Sequence, residues 1–221
     1  MRNDLTRNPL GWTGIQVDTK GNRMSLDVGQ AYDFYRYHLY REDTFKLLKK
    51  NGFRINGTIS PAYWELFGSI LTRDKSSEGH GADLCNFEIK TSCDTNHAFE
   101  YQYHRNGGVS KLREEMSIEH VFITYGNEYR DVTVQVLEGY KITDVLYGWL
   151  PKIEEKYNIG NNVPLLNNRV KQREDSQRCR MGLPRKIVDE RGVTVMAIRE
   201  AKLVEDLSSL TRQLYMFAAL K

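Results

Sequence analysis

The sequence predicts an α/β or α+β fold in which a mixed β-sheet is flanked by helices. Two observations carry that expectation. Ahead of residue 73, apolar side chains recur at three- and four-residue steps, the period of a helix packed on one face. Beyond residue 86, short segments alternate apolar and polar residues, the period of a strand, with polar turns between them. The chain of 221 residues is long enough for a sizeable core, and 1–221 reads as a single domain. Its 40% apolar, 28% charged and 11% aromatic content is close to the globular average, which excludes collagen-like, low-complexity and disordered classes.

The elements follow in order. Met1 to Arg23 is rich in Gly, Asn and Thr and reads as irregular. A helix is expected from about Ser25 to Lys50, with Ala31, Tyr35, His38, Leu39, Phe45 and Leu48 on its stripe and Asn51-Gly52 as its stop. A second helix starts at Ser60-Pro61, an N-cap residue followed by proline at the first helical position, and runs to about Thr72. Phe87 to Thr91 alternates as a strand. Ala98 to His104 does too, with Phe99, Tyr101 and Tyr103 on one face and Glu100, Gln102 and His104 on the other. Asn106-Gly107-Gly108 breaks it, and a short charged helix follows from Val109 to Ser117. Val121 to Tyr125 and Val132 to Leu137 form a strand pair around Gly126-Asn127. Lys141 to Tyr157 reads as a helix interrupted near Pro151, and Asn158 to Asn168 as a loop. Ile187-Val188 and Val193 to Ile198 are expected to make a hairpin around Asp189 to Gly192. A final helix from about Arg199 would carry Leu203, Val204, Leu207, Leu210, Leu214 and Phe217.

Several classes of protein are disfavoured. No run approaches the roughly 18 apolar residues of a membrane span, and Met1 to Leu10 lacks the apolar core of a secretory signal. Three cysteines without a CxxC spacing argue against a disulfide framework, and a reducing cytoplasm is the expected location. His97 and His104 with Cys85 and Cys93 have no paired close spacing to suggest zinc.

The sharpest local feature is Asp83 followed by Glu88-Ile89-Lys90. Glu88 and Lys90 are two apart on a strand and project from one face. Asp83 lies where the preceding polar loop enters that strand, so its carboxylate comes beside that of Glu88. Two convergent carboxylates are costly together unless a cation bridges them, and oxygen ligands suit Mg²⁺. A nearby lysine adds positive charge and orients a water, a combination suited to phosphodiester hydrolysis. Alternating Glu and Lys also describes an ordinary solvated strand face.

Here the chain resembles the PD-(D/E)xK nuclease superfamily, in particular type II restriction endonucleases. The matching residues are Gly81-Ala82-Asp83-Leu84 and Phe87-Glu88-Ile89-Lys90-Thr91-Ser92, with Ala82 where that family often has proline. The resemblance covers about Ser60 to Leu137. It implies a restriction-endonuclease-like sheet, a catalytic core within 25–140, and Mg²⁺ held by Asp83, Glu88 and the Ile89 carbonyl. It also implies that Lys90 positions the attacking water, that cleavage leaves 5′-phosphates, and that a companion DNA methyltransferase protects host DNA. In such families a glutamate of the preceding helix sometimes joins the site, which makes Glu65 a candidate. Glu100, Gln102 and His104 would line the same cleft if their strand pairs with that of Glu88 and Lys90.

The net charge is only +3, but it is unevenly placed. Arg169, Lys171, Arg173, Arg178, Arg180, Arg185 and Lys186 fall within eighteen residues, opposed only by Glu174 and Asp175. With Gln177 among them, these residues make 158–198 the candidate recognition segment for double-stranded DNA, since Lys and Arg neutralise phosphates while Arg, Asn and Gln read base edges. A weaker basic patch is Lys46, Lys49, Lys50 and Arg54. The aromatic run Tyr32, Phe34, Tyr35, Tyr37 and Tyr40 cannot all be buried by one helix face.

The function expected from these features is a Mg²⁺-dependent, sequence-specific DNA endonuclease, acting as a homodimer or as a monomer. A nicking or junction-resolving nuclease with the same core, a non-catalytic DNA-binding module and a metal-independent RNA-processing protein are the alternatives.

Overall fold

The computed structural model describes residues 26–77, 81–104, 107–157 and 178–206. The expected long first helix is divided. Helix α1, Val28–Phe34, is capped by the Asp27 carboxylate, which accepts from the Gln30 N–H at 3.1 Å. A π-helical turn follows at Tyr35–Leu39 and closes with the Tyr40 N–H on the Tyr35 carbonyl, before α2 resumes at Glu42–Lys50. The division sorts the aromatic run: Tyr35 and Leu39 are fully buried, with the Tyr35 hydroxyl on the Tyr129 carbonyl, while Tyr37 is exposed.

Helix α3, Pro61–Thr72, begins at the expected Ser60-Pro61 and ends at Arg73, which takes a left-handed backbone conformation. Strand β1 is Phe87–Cys93, β2 is Ala98–Tyr103, α4 is Gly108–Glu115, β3 is Glu119–Tyr125 and β4 is Val132–Glu138. The Lys141 to Tyr157 region gives two short helices, α5 at Thr143–Tyr147 and α6 at Leu150–Tyr157, which place Pro151 in the tolerant first turn of α6. Strand β5 is Cys179–Pro184, α7 is Arg185–Arg191, β6 is Val193–Arg199 and β7 is Lys202–Asp206.

Two expectations near the C-terminus are corrected. The segment before Gly192 is helix α7 rather than the first strand of a hairpin, because it buries Val188 on one helical face. The hairpin lies one element later: β6 turns at Glu200 and Ala201, both at positive φ, and pairs antiparallel with β7. Thus Leu203 and Val204 belong to a strand rather than a helix; the remaining stripe residues lie outside the described residues.

Five strands form a mixed sheet in the order β1-β3-β4-β6-β7. Only β1 and β3 are parallel, with Glu88 opposite His120 and Lys90 opposite Phe122; the other neighbours are antiparallel. Strands β2 and β5 form a separate antiparallel ribbon. One core gathers α1, α3 and one sheet face around Trp64, Phe67, Ile89, Val121 and Val134. A second gathers the ribbon with α4, α5 and α6 around Phe99, Tyr101, Leu112, Phe122 and Leu146. Complete burial of such side chains contributes about 1.5–3 kcal/mol each. Among the described residues no helix is long and apolar enough to cross a membrane.

Candidate active site

The site forms where α3, the loop before β1, β1 itself and α4 meet. Alternation along β1 sends Ile89 into the core beneath α3 and turns Glu88 and Lys90 to the opposite face, toward α4 and the ribbon. The α3 contact is close: a Cβ at Gly68 would lie 2.4 Å from Ile89 Cδ1. Glycine at this position lets α3 approach the strand, with Glu65 one turn earlier on the same helix.

Asp83 and Glu88 are locked together through the backbone. The Asp83 N–H donates to Glu88 Oε2 at 3.1 Å, and the Ile89 N–H donates to Asp83 Oδ2 at 3.0 Å. Lys90 pairs with Glu88 Oε1, and its ammonium also lies 4.7 Å from the centre of the Tyr101 ring. The expected trio of Asp83, Glu88 and Lys90 is thereby brought together.

Helix α4 supplies residues that sequence reading missed. Lys111 Nζ lies 3.1 Å from Glu88 Oε1 and 3.7 Å from Glu115 Oε1. Glu114 accepts from the Ala82 N–H at 3.2 Å, just before Asp83, and a Cβ at Gly81 would collide with that carboxylate. Glu115 is fully buried and accepts from the Tyr103 hydroxyl on Oε2 at 2.6 Å, while its Oε1 has no hydrogen-bond partner. Residues 111, 114 and 115 share one helical face, so a single element holds Glu88, the Asp83 loop and the underside of the site. The available signal was the Lys-x-x-Glu-Glu spacing, which also suits a solvated helix.

A buried chain of hydrogen bonds supports the floor. His120 Nε2 lies 2.7 Å from the Glu115 carbonyl, and Nδ1 lies 3.0 Å from the Tyr101 hydroxyl. A carbonyl only accepts, so Nε2 carries the proton and Nδ1 accepts from Tyr101. Burial holds His120 down at about 4, so it is neutral at pH 7. Tyr101 and Tyr103 are both pushed up, by burial first and then by Glu115, and remain donors.

The carboxylates divide by environment. Burial alone would raise Glu88, but the ammoniums of Lys90 and Lys111 outweigh it and hold the group at about 2. Asp83 is raised by burial and then by the charge of Glu88. Glu65, half-buried, is raised by burial and then by Asp83 and Glu88, which places it in their electrostatic field. Burial lifts Glu115 to about 8 against the pull of Lys90, with the charge of Glu88 adding to the rise.

Gln102 and His104 do not join this group. Strand β2 pairs with β5 instead of β1, and its aromatic face, not its polar one, is turned to the site. Burying Tyr101 and Tyr103 under Lys90 and Glu115 necessarily turns Glu100 and Gln102 outward, where they meet Arg180 and Arg178. His104 is exposed just past the strand.

The basic residues also separate. Arg178 and Arg180 are exposed on the outer ribbon face, and Lys186 is exposed beside Glu190. Arg185 instead points inward: its guanidinium donates to the carbonyls of Cys93 and Asp94 at the end of β1 and lies over the Phe99 ring. Its placement is that of a structural staple rather than an extended phosphate contact. Arg169, Lys171, Arg173 and Gln177 lie outside the described residues. In the weaker patch, Lys46 pairs with Glu42 and Lys49 with Glu128.

Among the described residues no three His, Cys, Asp or Glu side chains form a ready metal cluster. Compared with known proteins, the chain matches no family model and no curated protein.

Proposed function

We propose that the chain is a Mg²⁺-dependent DNA endonuclease of the restriction type, cutting double-stranded DNA at a defined sequence. The observation that carries the reading is the hydrogen-bonded interlock of Asp83 and Glu88, with Lys90 on the same carboxylate. This is the arrangement that phosphodiester hydrolysis needs: two acids to gather a cation and an amine beside them.

The donor chemistry fits Mg²⁺. Two carboxylates and the Ile89 carbonyl are hard oxygen donors, and Mg²⁺ usually takes one or two carboxylates, keeping waters or substrate phosphate for the rest. Asp83 and Glu88 would hold it, with Glu65 close enough to reinforce the negative field. When bound, Mg²⁺ supplies a Lewis acid for the phosphoryl oxygen and lowers the pKa of water. Lys90 then orients the attacking water and offsets charge developing on the phosphoryl group. The Tyr101 ring keeps its ammonium in place once it leaves Glu88. Displacement of the 3′ oxygen leaves a 5′-phosphate. Arg178, Arg180 and the basic segment before them would bring the duplex to this cleft.

The test is incubation of the full chain with plasmid and phage DNA, with Mg²⁺ or EDTA, followed by sequencing of the ends. Discrete Mg²⁺-dependent fragments, lost in Lys90→Ala and Asp83→Ala, are the expected result. Intact DNA across many sequences would overturn the reading, and nicks without double-strand cuts would replace it with a nicking enzyme.

A further inference from the structure

Lys90 and Lys111 both contact one atom, Glu88 Oε1. Two ammoniums on a single carboxylate oxygen repel each other, and a cation arriving at Glu88 would add a third positive charge there. The two lysines differ in what else is within reach. Lys90 has the face of Tyr101. Lys111 has Glu115 Oε1 at 3.7 Å, an oxygen that is fully buried, faces the ammonium and has no hydrogen-bond partner. A buried oxygen without a hydrogen bond is costly, so this oxygen, already in loose ion-pair range of Lys111 at 3.7 Å, is a second place where its ammonium can close to hydrogen-bond distance.

We propose that Lys111 is a positioning residue with two stations: it neutralises Glu88 while the site is free of metal, and passes to Glu115 Oε1 when a divalent cation binds Glu88. Glu115 thereby acts on cation binding through Lys111. This inference rests on the metal-dependent reading above and assigns it a device for exchanging charge within the chain. The geometry gives each partner a fixed place. Tyr103 anchors the other oxygen of Glu115, and residues 111 and 115 are one helical turn apart, so the transfer needs only side-chain rotation.

The test is Mg²⁺ binding to the full chain, followed by calorimetry without DNA at pH 9, where the Glu115 carboxyl, raised to about 8, is ionised and can receive the ammonium. Lys111→Met, which removes a positive charge beside Glu88, should bind Mg²⁺ about tenfold more tightly. Glu115→Gln, which removes the second station, should bind it several-fold more weakly. In the Lys111→Met background, Glu115→Gln should have no further effect, because the acceptor acts only through the lysine. Lys111→Arg should return to within about threefold of the wild-type affinity, since the charge is restored. A merely structural role would weaken binding in both single variants and add in the double, and that result overturns the inference. If Glu115→Gln does not fold, the lysine variants still decide, because unchanged affinity in Lys111→Met also overturns it. A wild-type chain that binds Mg²⁺ but cuts no DNA overturns the nuclease reading alone. One that binds no Mg²⁺ overturns both.

Discussion

The Tyr101 hydroxyl lies 3.0 Å from His120 Nδ1, and the face of the same tyrosine carries the Lys90 ammonium 4.7 Å from its centre. One end of the ring is fixed by a buried histidine while the other surface supports a lysine of the candidate site. Tyr101→Phe keeps the ring and removes the hydroxyl, leaving His120 Nδ1 buried without its donor. The expected cost is about 1–3 kcal/mol in urea unfolding at pH 7. Unchanged stability would show that the bond contributes nothing to the floor of the site.

Glu115 and His120 make opposite contributions to pH dependence. Glu115 is raised to about 8 in the folded protein from an ordinary 4.5, so the folded state binds the extra proton between those values. Its stabilising contribution is complete below pH 4.5 and is lost as pH rises through 8. His120 is lowered to about 4 from 6.5, so the unfolded state binds the extra proton and stability is lost as pH falls from 6.5 toward 4. The two oppose each other between pH 4.5 and 6.5. Above that window only Glu115 of the two still titrates, and its part of the loss on raising pH from 6.5 to 8 is about 2 kcal/mol. Glu115→Gln should abolish that loss and expose the His120 contribution as a gain of about 3 kcal/mol from pH 4.5 to 6.5. Urea midpoints across the range check both.

Gly68 faces Ile89 so closely that an added methyl must displace it. Alanine would favour the helix by up to about 1 kcal/mol, but overpacking a core costs about 1–3 kcal/mol. Gly68→Ala is therefore expected to destabilise the fold, and Ile89→Val in the same chain should recover part of the loss by removing Cδ1. Additive losses in the double variant, measured by thermal unfolding, would contradict direct contact.

Arg180 and Arg185 offer a test of the proposed DNA interface. Arg180 is exposed, so Arg180→Ala should leave stability unchanged and lower the salt slope of DNA binding by about 1. Arg185→Ala removes the donor to the Cys93 and Asp94 carbonyls and should destabilise the fold by about 1–3 kcal/mol, with little change in that slope. Filter binding across salt concentrations, with parallel unfolding curves, separates the two. Equal slopes in both variants and wild type would remove the ribbon from the interface.

Local chemistry was legible where one short segment carried the whole signal. Ser60-Pro61 marked the start of α3, and the alternation of residues 98–103 marked β2 and its aromatic face. The trio of Asp83, Glu88 and Lys90 was legible because strand geometry alone joins two of them. The use of β2 was not legible. Alternation separates two faces but does not say which one packs on the site, and the aromatic face did so. Short apolar runs near the C-terminus were ambiguous for a related reason: five to seven residues suit a strand or a helical turn until a neighbour accepts their backbone bonds.

By itself, the sequence determined the acid just before β1, the acid and the lysine on it, the helix that precedes them and the alternation of the strands. Only the tertiary structure decided what stands over them. Strands β1 and β3 are parallel, so the chain must cross from the end of one to the start of the other, and the crossover comprises β2 and α4. That return path carries Lys111, Glu114 and Glu115 across the face where Glu88 and Lys90 project. Residues more than twenty positions apart meet there because a parallel pair cannot be joined by a tight turn. No local pattern encodes that requirement.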